Sequence, residues 1–492
     1  MAFITIDLGT TNIKVTAFSD ALNEIGHESE KVTYQCRGNQ VEFDPDLYFE
    51  ILVQSIYRIV PLVNEKVRQV ILTGQAESLV VLDDKGKPLR AAISWLDTRS
   101  SRECEEIKKA FPESLAYQIT GQPANTPTWP ITKMLWLKKH EAQLFERAAK
   151  YVLLKDYIQY RLSGQLLGEY SIYNFSYYFD ITKKVYWHEL LDWSGIRRQQ
   201  LPDLVEPCTT VGSLLPSIAD TLGLDRTTCV NIGTLDHFAG MIGTGNIERG
   251  IISESTGTVL SLATLTDRPI LSSERMPCHY GPFAGSYVMM PVCESGGISL
   301  EWFWSKIVGK RNFQQIDAQS ARLQRPSEIL FLPYLTGTNS PDYNQDARGV
   351  FYGLKLNHDR IDCALAVMEG VAWLLYRNLK CLDNIGIRAD RVITTGGGSK
   401  SAIWCQIKAD MTGCSFMVPA QTEAASLGSA LIGAVASGVI KNYHQGLKQT
   451  LFMKKTWQPT ATEQYRRQVH RYETLYEQLQ PVFKQDARLQ QV

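Results

Sequence analysis

One pattern occurs twice, about half the chain apart, and it limits the possible folds more than any other feature. Phe3 to Asp7 is a short β-rich run, Gly9-Thr10-Thr11 makes a turn, and Ile13 to Phe18 alternates back as a second strand. Near mid-chain, Ile251-Ile252-Ser253-Glu254 leads into Ser255-Thr256-Gly257-Thr258, and Val259 to Leu265 returns. Two such hairpins with small residues and threonines at their tips predict two related domains, each opening with a loop sized for a phosphate. The boundary is expected near residue 246, in Gly243-Thr244-Gly245-Asn246, giving domains of 1–246 and 247–492.

The remaining texture predicts an α/β protein. Gln69 to Thr73 and Val80 to Asp83 read as strands around a bend at Gly74. Ser100 to Ala110, Lys133 to His140 and Ala142 to Tyr151 read as helices with polar faces, and Arg360 to Gly386 carries apolar residues at helical spacing. Arg391 to Thr395 reads as a strand, Gly396-Gly397-Gly398 as a turn and Ser401 to Thr412 as a helix. Ala424 to Ser437 is rich in Ala, Ser and Gly, which lets a helix pack close to a neighbour. The last thirty residues are polar and read as a peripheral helix.

Composition narrows the partners. Lys+Arg and Asp+Glu both number 51, so the basic surplus of most nucleic-acid binders is missing. Ten cysteines stand singly with no C-x-x-C pair, which removes the usual zinc and thioredoxin spacings and fits free thiols in a reducing cytosol. Asp7 interrupts the first apolar run, unlike a signal peptide, and Leu427 to Ile440 is too short and too broken by Gly and Ser to span a membrane. A cytoplasmic location, away from membranes, is the expectation.

The first hairpin can do chemistry as well as turn. A tight turn of small residues points backbone N–H groups into one concavity that suits anionic oxygens, and Thr10 and Thr11 add hydroxyls. Asp7 at the strand end can hold Mg²⁺, and Lys14 on the returning strand can neutralise phosphate. An ordinary hairpin with an acid near its turn is the alternative. Ser255 to Thr258 supplies a second set of small donors. Gly396-Gly397-Gly398-Ser399-Lys400-Ser401 joins a strand to a helix, where glycines permit close approach and the helix start is electropositive. No G-x-x-x-x-G-K-[ST] or H-R-D…D-F-G set occurs, and the glycine triplet is not G-x-G-x-x-G.

Asp236, after the apolar strand Val230 to Ile232, suits either a catalytic carboxylate or a helix N-cap. His237 could bond a substrate hydroxyl or be structural. Gln75 and Glu77 follow the Ile71 to Thr73 strand at a bend, where polar side chains can read hydroxyls. Trp95-Leu96-Asp97-Thr98-Arg99 offers an aromatic face, an acid and a base, which suit a polyhydroxylated ligand or a structural Asp97–Arg99 pair equally.

In this order, these motifs resemble those of the FGGY carbohydrate kinases over about residues 3 to 440. The motifs include Gly396 to Ser401 followed by Trp404, Gln406, Ala409-Asp410 and Thr412-Gly413, and Thr422-Glu423-Ala424-Ala425-Ser426-Leu427-Gly428. Leu332-Pro333-Tyr334-Leu335 and Ala347 to Leu354 fit as well. The resemblance implies an α/β fold of two actin-like, ribonuclease-H-like ATPase domains with ATP and sugar in the cleft between them. It implies Asp236 as catalytic base, Asp7 with Asp236 at Mg²⁺, and Gly9, Thr10, Thr11, Lys14, Gly257 and Thr258 around the phosphates. Gly397, Gly398 and Gln406 would border adenosine. Gln75, Glu77, Trp95, Asp97, Trp129 and His237 are the candidates on the sugar side.

The sugar side departs from the family's common patterns. Gln75-Ala76-Glu77-Ser78 stands where xylulokinases carry Gln-Met-His-Gly and glycerol kinases Gln-Arg-Glu-Thr. The expectation is therefore an ATP- and magnesium-dependent kinase of a small ketose or polyol, with a homodimer as one form of assembly. A sugar- and ATP-responsive regulator, or an actin-like ATPase with little kinase activity, is the competing reading.

Overall fold

The computed structural model describes residues 1–309, 314–319, 323–388, 391–421 and 423–489. Thr422, part of the C-terminal motif above, lies outside the described residues.

The first sheet contains β1 (Ala2–Leu8), β2 (Asn12–Ser19), β3 (Glu24–Lys31), β4 (Val67–Gly74), β5 (Thr210–Ser213) and β6 (Cys229–Leu235). Its order is β5-β6-β4-β1-β2-β3, with β1 antiparallel to β2 and parallel to β4, β4 parallel to β6, and β6 antiparallel to β5. The central strands are largely buried, with Thr5, Gln69, Thr73, Asn231 and Thr234 as buried polar side chains among the apolar ones, as expected when both faces of a sheet are covered.

The second sheet repeats this grammar. It contains β7 (Ile251–Thr256), β8 (Leu260–Thr266), β9 (Cys278–Tyr280), β10 (Tyr287–Met289), β11 (Arg391–Thr395), β12 (Ser415–Pro419) and β13 (Met453–Trp457). Here β7 is antiparallel to β8 and parallel to β11, β11 is parallel to β12, and β12 is antiparallel to β13. So β7 plays the part of β1, and β8 that of β2. Each glycine–threonine loop is the tip of the equivalent hairpin at the carboxyl end of its sheet's central strand.

Four helices set the geometry of the site: α1 (Asp236–Gly243), α2 (Arg360–Asn384), α3 (Ala402–Thr412) and α4 (Ala424–Ala436). The small residues of α4 serve the close packing expected of them. A Cβ at Gly428 would sit 1.8 Å from Ala239 O, and one at Gly243 would sit 1.9 Å from Ala424 O. Only glycines let α1 and α4 cross this tightly. Through α4 the second half of the chain also covers Phe3 and Ile71 of the first sheet.

The helix expected from Ala142 to Tyr151 stops at Arg147, and Lys150–Leu153 is instead a strand paired with Leu79–Leu82. Tyr151, Val152 and Leu153 are buried between that sheet and the helices around it, an environment that rewards an extended β-branched and aromatic run. A further difference concerns Lys133, expected on a polar helix face. It is fully buried within the helix Pro130–His140. The C-terminal segment forms the helix Thr462–Leu489, packed through Tyr465, Tyr472 and Tyr476. No helix among the described residues is long and apolar enough to cross a membrane.

Candidate active site

Gly9 turns the first hairpin. A Cβ there would come 2.5 Å from Asn12 O, so the turn closes only around glycine. Three side chains brace the loop from below. Tyr48 donates its hydroxyl to Gly9 O (3.0 Å), Gln75 donates Nε2 to the same oxygen (3.4 Å), and Trp95 donates its indole N–H to Thr10 Oγ1 (2.8 Å). Gln75 Oε1 in turn accepts from Ser78 (2.8 Å). Both ends of the Gln75 amide are thus engaged within the protein. Gln75 and Trp95, expected on the sugar side, are engaged with the first hairpin loop through Gly9 O and Thr10 Oγ1.

Asp7, at the end of β1, has Oδ1 buried with no hydrogen-bond partner among the described residues. Burial and the charge of Asp236 push its carboxyl up to about 7, with Lys14 opposing. Lys14 Nζ lies 2.8 Å from Glu423 Oε2, just ahead of α4. Asp236 opens α1 and is partly exposed. Its Oδ1 accepts the backbone N–H of His237 (2.6 Å), leaving the second oxygen for other partners. His237 is exposed and, with Ser253, Ser255 and Thr395, lines a cleft of about 120 Å³ between the two halves of the chain.

Glu77 follows at a left-handed backbone position (φ 67°), rare for a residue with a Cβ, and its side chain turns inward. Burial pushes its carboxyl up to about 8, with Asp236 adding and Lys133 opposing. Lys133 donates to Thr128 O (2.7 Å), and burial pushes its ammonium down to about 7. Lys133 was missed in the sequence. Its one signal is a position in phase with the apolar residues of Ile131-Thr132-Lys133-Met134-Leu135.

Two candidates point elsewhere. Asp97 is fully buried, and its carboxylate accepts from Arg99 Nε (2.9 Å), Arg99 Nη2 (2.7 Å) and Val41 N (2.6 Å). With every acceptor direction filled it has no capacity for a sugar, and it belongs to an ion-pair cluster with Arg99 and Glu42. Gln406 donates to Asp410 Oδ1 (2.9 Å) and Gln458 O (2.8 Å) and so ties α3 to the chain beyond β13. Trp129 is buried, with its ring stacked on Tyr177 at 6.0 Å and its indole N–H given to Ala124 O (3.1 Å).

On the other side, Thr256, Gly257, Thr258, Gly297, Gly397, Gly398, Ser401 and Trp404 line a cavity of about 920 Å³. Gly396 sits at φ 77° with its Cβ position 2.8 Å from Thr256 O, so the glycine run can press against the second loop. Beneath them lies a buried ion pair, Lys408 Nζ to Glu254 Oε1 at 2.9 Å, with Lys408 also donating to Thr256 Oγ1 (2.7 Å). Asp317 accepts from Ser401 Oγ (3.1 Å) and Ile403 N (3.0 Å) and so fixes the start of α3. Gly297, Asp317, Glu254 and Lys408 were not singled out in the sequence, because distant segments bring them together.

Two hairpin loops flanking a cleft, a carboxylate at the start of α1 and a nucleotide-sized cavity lined by glycines define a two-domain phosphotransferase with an actin-like ATPase fold. Residues 2–243 match the N-terminal domain of the FGGY family of carbohydrate kinases, and residues 253–437 match its C-terminal domain. The chain belongs to that family and is an ATP-dependent sugar kinase. A xylulose kinase of Staphylococcus epidermidis is 29% identical over 98% of this chain and 97% of its own. A gluconokinase of Bacillus licheniformis is 28% identical over 89% and 88% of the two chains. The fold is that of a ligand-bound xylulose kinase from Lactobacillus acidophilus, with a TM-score of 0.90 over 98% of this chain and 99% of that one, at 24% identity.

Proposed function

We propose that this kinase transfers the γ-phosphoryl group of ATP to a hydroxyl of a small uncharged ketose or polyol, with a pentulose as first candidate. The charge of the acceptor side carries the reading. Asp236 lies near enough to Glu77 to raise it, and Lys133, the buried cation beside Glu77, is matched by that acid. A substrate carboxylate would meet the charge of Asp236, and Lys133 already faces Glu77, whereas a neutral polyol meets only hydrogen-bond partners. The full-length similarity to proteins named xylulose kinase favours a pentulose over an aldonate.

The chemistry asks mostly for positioning. The oxygen of Asp236 that is not bonded to the His237 N–H takes the proton of the acceptor hydroxyl as the oxygen of that hydroxyl bonds to the γ-phosphorus. The bond from the γ-phosphorus to its bridging oxygen breaks, and the electron pair leaves with ADP. Gly9, Thr10, Thr11 and Lys14 hold the phosphates from one side, and Gly257 and Thr258 from the other. Gly397 and Gly398, with Trp404, border adenosine.

Asp7 and Asp236 would hold Mg²⁺. A carboxylate with an unpartnered buried oxygen and a raised pKa fits a cation, and Mg²⁺ binds through one or two carboxylates plus phosphate oxygens. The bound ion would neutralise charge on the phosphates. Glu77 and His237 face the acceptor hydroxyls.

The test is ADP release over a panel of pentuloses, hexuloses, polyols and gluconate. Turnover confined to gluconate would refute the neutral acceptor. Asp236→Asn should lower kcat by about 10²–10⁴-fold while ATP still binds, and unchanged turnover would remove the base role.

A further inference from the structure

The strand β9 belongs to the second sheet, yet it is tied to the first half of the chain. Cys278 donates its backbone N–H to Gly121 O (3.0 Å), and Tyr280 donates its own to Asn174 Oδ1 (2.6 Å). Between them, His279 is only 2% exposed. Its ring stacks on Phe175 at 4.4 Å and stands edge-on to Phe238, two residues beyond Asp236.

Its neighbours decide the tautomer. Gln122 Nε2 lies 3.1 Å from Asn174 O, which can only accept, so the amide nitrogen must face that way. The same nitrogen lies 3.2 Å from His279 Nδ1. Nδ1 therefore accepts, and the ring proton sits on Nε2. Burial, with His237 close by, pushes the imidazole down to about 3 and keeps it neutral. Among the described residues Nε2–H has no acceptor. The Nε2 donor is not fully enclosed, and Gln122 and Phe175 hold the ring against Phe238, in the helix that Asp236 opens.

We propose that His279 binds the acceptor, donating Nε2–H to a hydroxyl or carbonyl oxygen of the sugar next to the hydroxyl that reacts. The proposal rests on the neutral-acceptor reading and deepens it. The first domain supplies the base, and a residue of the second sheet reads the substrate. Its neutral donor suits a polyol oxygen and adds no charge to the site. Phe175, stacked beneath it, and Trp129 beyond form an aromatic wall against which a sugar's C–H face can lie.

His279→Phe keeps the stack and removes the donor, and His279→Gln returns an amide N–H near the Nε2 position. The probes are D-xylulose, D-ribulose, xylitol and D-gluconate. With whichever of them the wild type phosphorylates, H279F should raise the acceptor KM at least tenfold, H279Q should recover most of that loss, and the KM for ATP should stay unchanged. Separately, ¹⁵N-histidine-labelled wild type should show an Nε2–H tautomer for His279, with a signal that moves on addition of the same compound. Wild-type turnover alone tests the acceptor class. An H279F acceptor KM within twofold of wild type, or a His279 signal that none of the four compounds moves, would overturn the role of His279. The wild-type titration decides the matter if H279F does not fold.

Discussion

Lys14 on the first hairpin and Glu423 ahead of α4 form a 2.8 Å ion pair that joins the two halves of the chain. Their side chains are 38% and 47% exposed, so the pair contributes little to stability, about 0–1 kcal/mol. Its interest lies in what Lys14 does when a triphosphate competes with Glu423. Glu423→Gln should leave the melting temperature nearly unchanged. Lys14→Met should raise the KM for ATP and lower kcat. Thermal melts and initial rates check this, and a Lys14→Met enzyme with wild-type kinetics would separate Lys14 from the phosphates.

Asp7 makes stability depend on pH in a definite direction. Its carboxyl is raised in the fold, so the folded protein binds that proton more tightly than the unfolded chain. The stabilisation is present at low pH and is lost as pH rises through about 7. Asp7→Asn should therefore gain on wild type between pH of about 5 and about 8 when no nucleotide or Mg²⁺ is added. Each 1 kcal/mol of that gap corresponds to about 2–4 °C in Tm for domains of this size. With Mg²⁺ and ATP present, wild type should recover the advantage. Differential scanning calorimetry at several pH values reads both, and a gap that does not change with pH would argue against a strained carboxyl.

Asp97 should act on stability alone. Asp97→Asn breaks a fully buried ion pair and leaves Arg99 with only Glu42, at a cost of about 3–5 kcal/mol. Chemical denaturation measures the loss. The folded fraction should keep the wild-type KM for the acceptor, and a rise in that KM would return Asp97 to the sugar site.

Gly9→Ala probes the loop itself. The new methyl would meet Asn12 O at 2.5 Å, so the turn must open. The KM for ATP should rise about tenfold or more, equivalent to about 1.4 kcal/mol, with little change in the KM for the acceptor.

Much of the two hairpins was legible in the sequence because their elements are local. A strand, a tight turn and a returning strand are contiguous, and Gly9 and Gly396 announce backbone geometry that other residues cannot adopt. The acceptor side was less legible. Gln75 and Trp95 look like sugar contacts in the sequence, but their partners, Gly9 O and Thr10 Oγ1, lie far away along the chain. Gln406 follows the Gly396 to Ser401 segment in the sequence, yet its side chain turns to Gln458 beyond β13. Lys133 reads as a surface lysine until Pro130 to Leu135 are seen to be buried all round.

The sequence by itself determined that two hairpins with glycine–threonine tips open two α/β halves and that acids stand at strand ends beside them. Short-range sterics and hydrogen bonding settle such features. Only the tertiary structure decided which side chains meet. It enclosed Asp97 with Arg99, set Lys133 beside Glu77, joined Lys14 to Glu423 and brought His279 from the second sheet to the neighbourhood of Asp236. Burial and charge at those meetings set protonation and the availability of hydrogen-bond partners. Apart from the Asp97–Arg99 pair, which the sequence offered as one reading, they depend on distances between segments that are far apart along the chain, which no local pattern encodes.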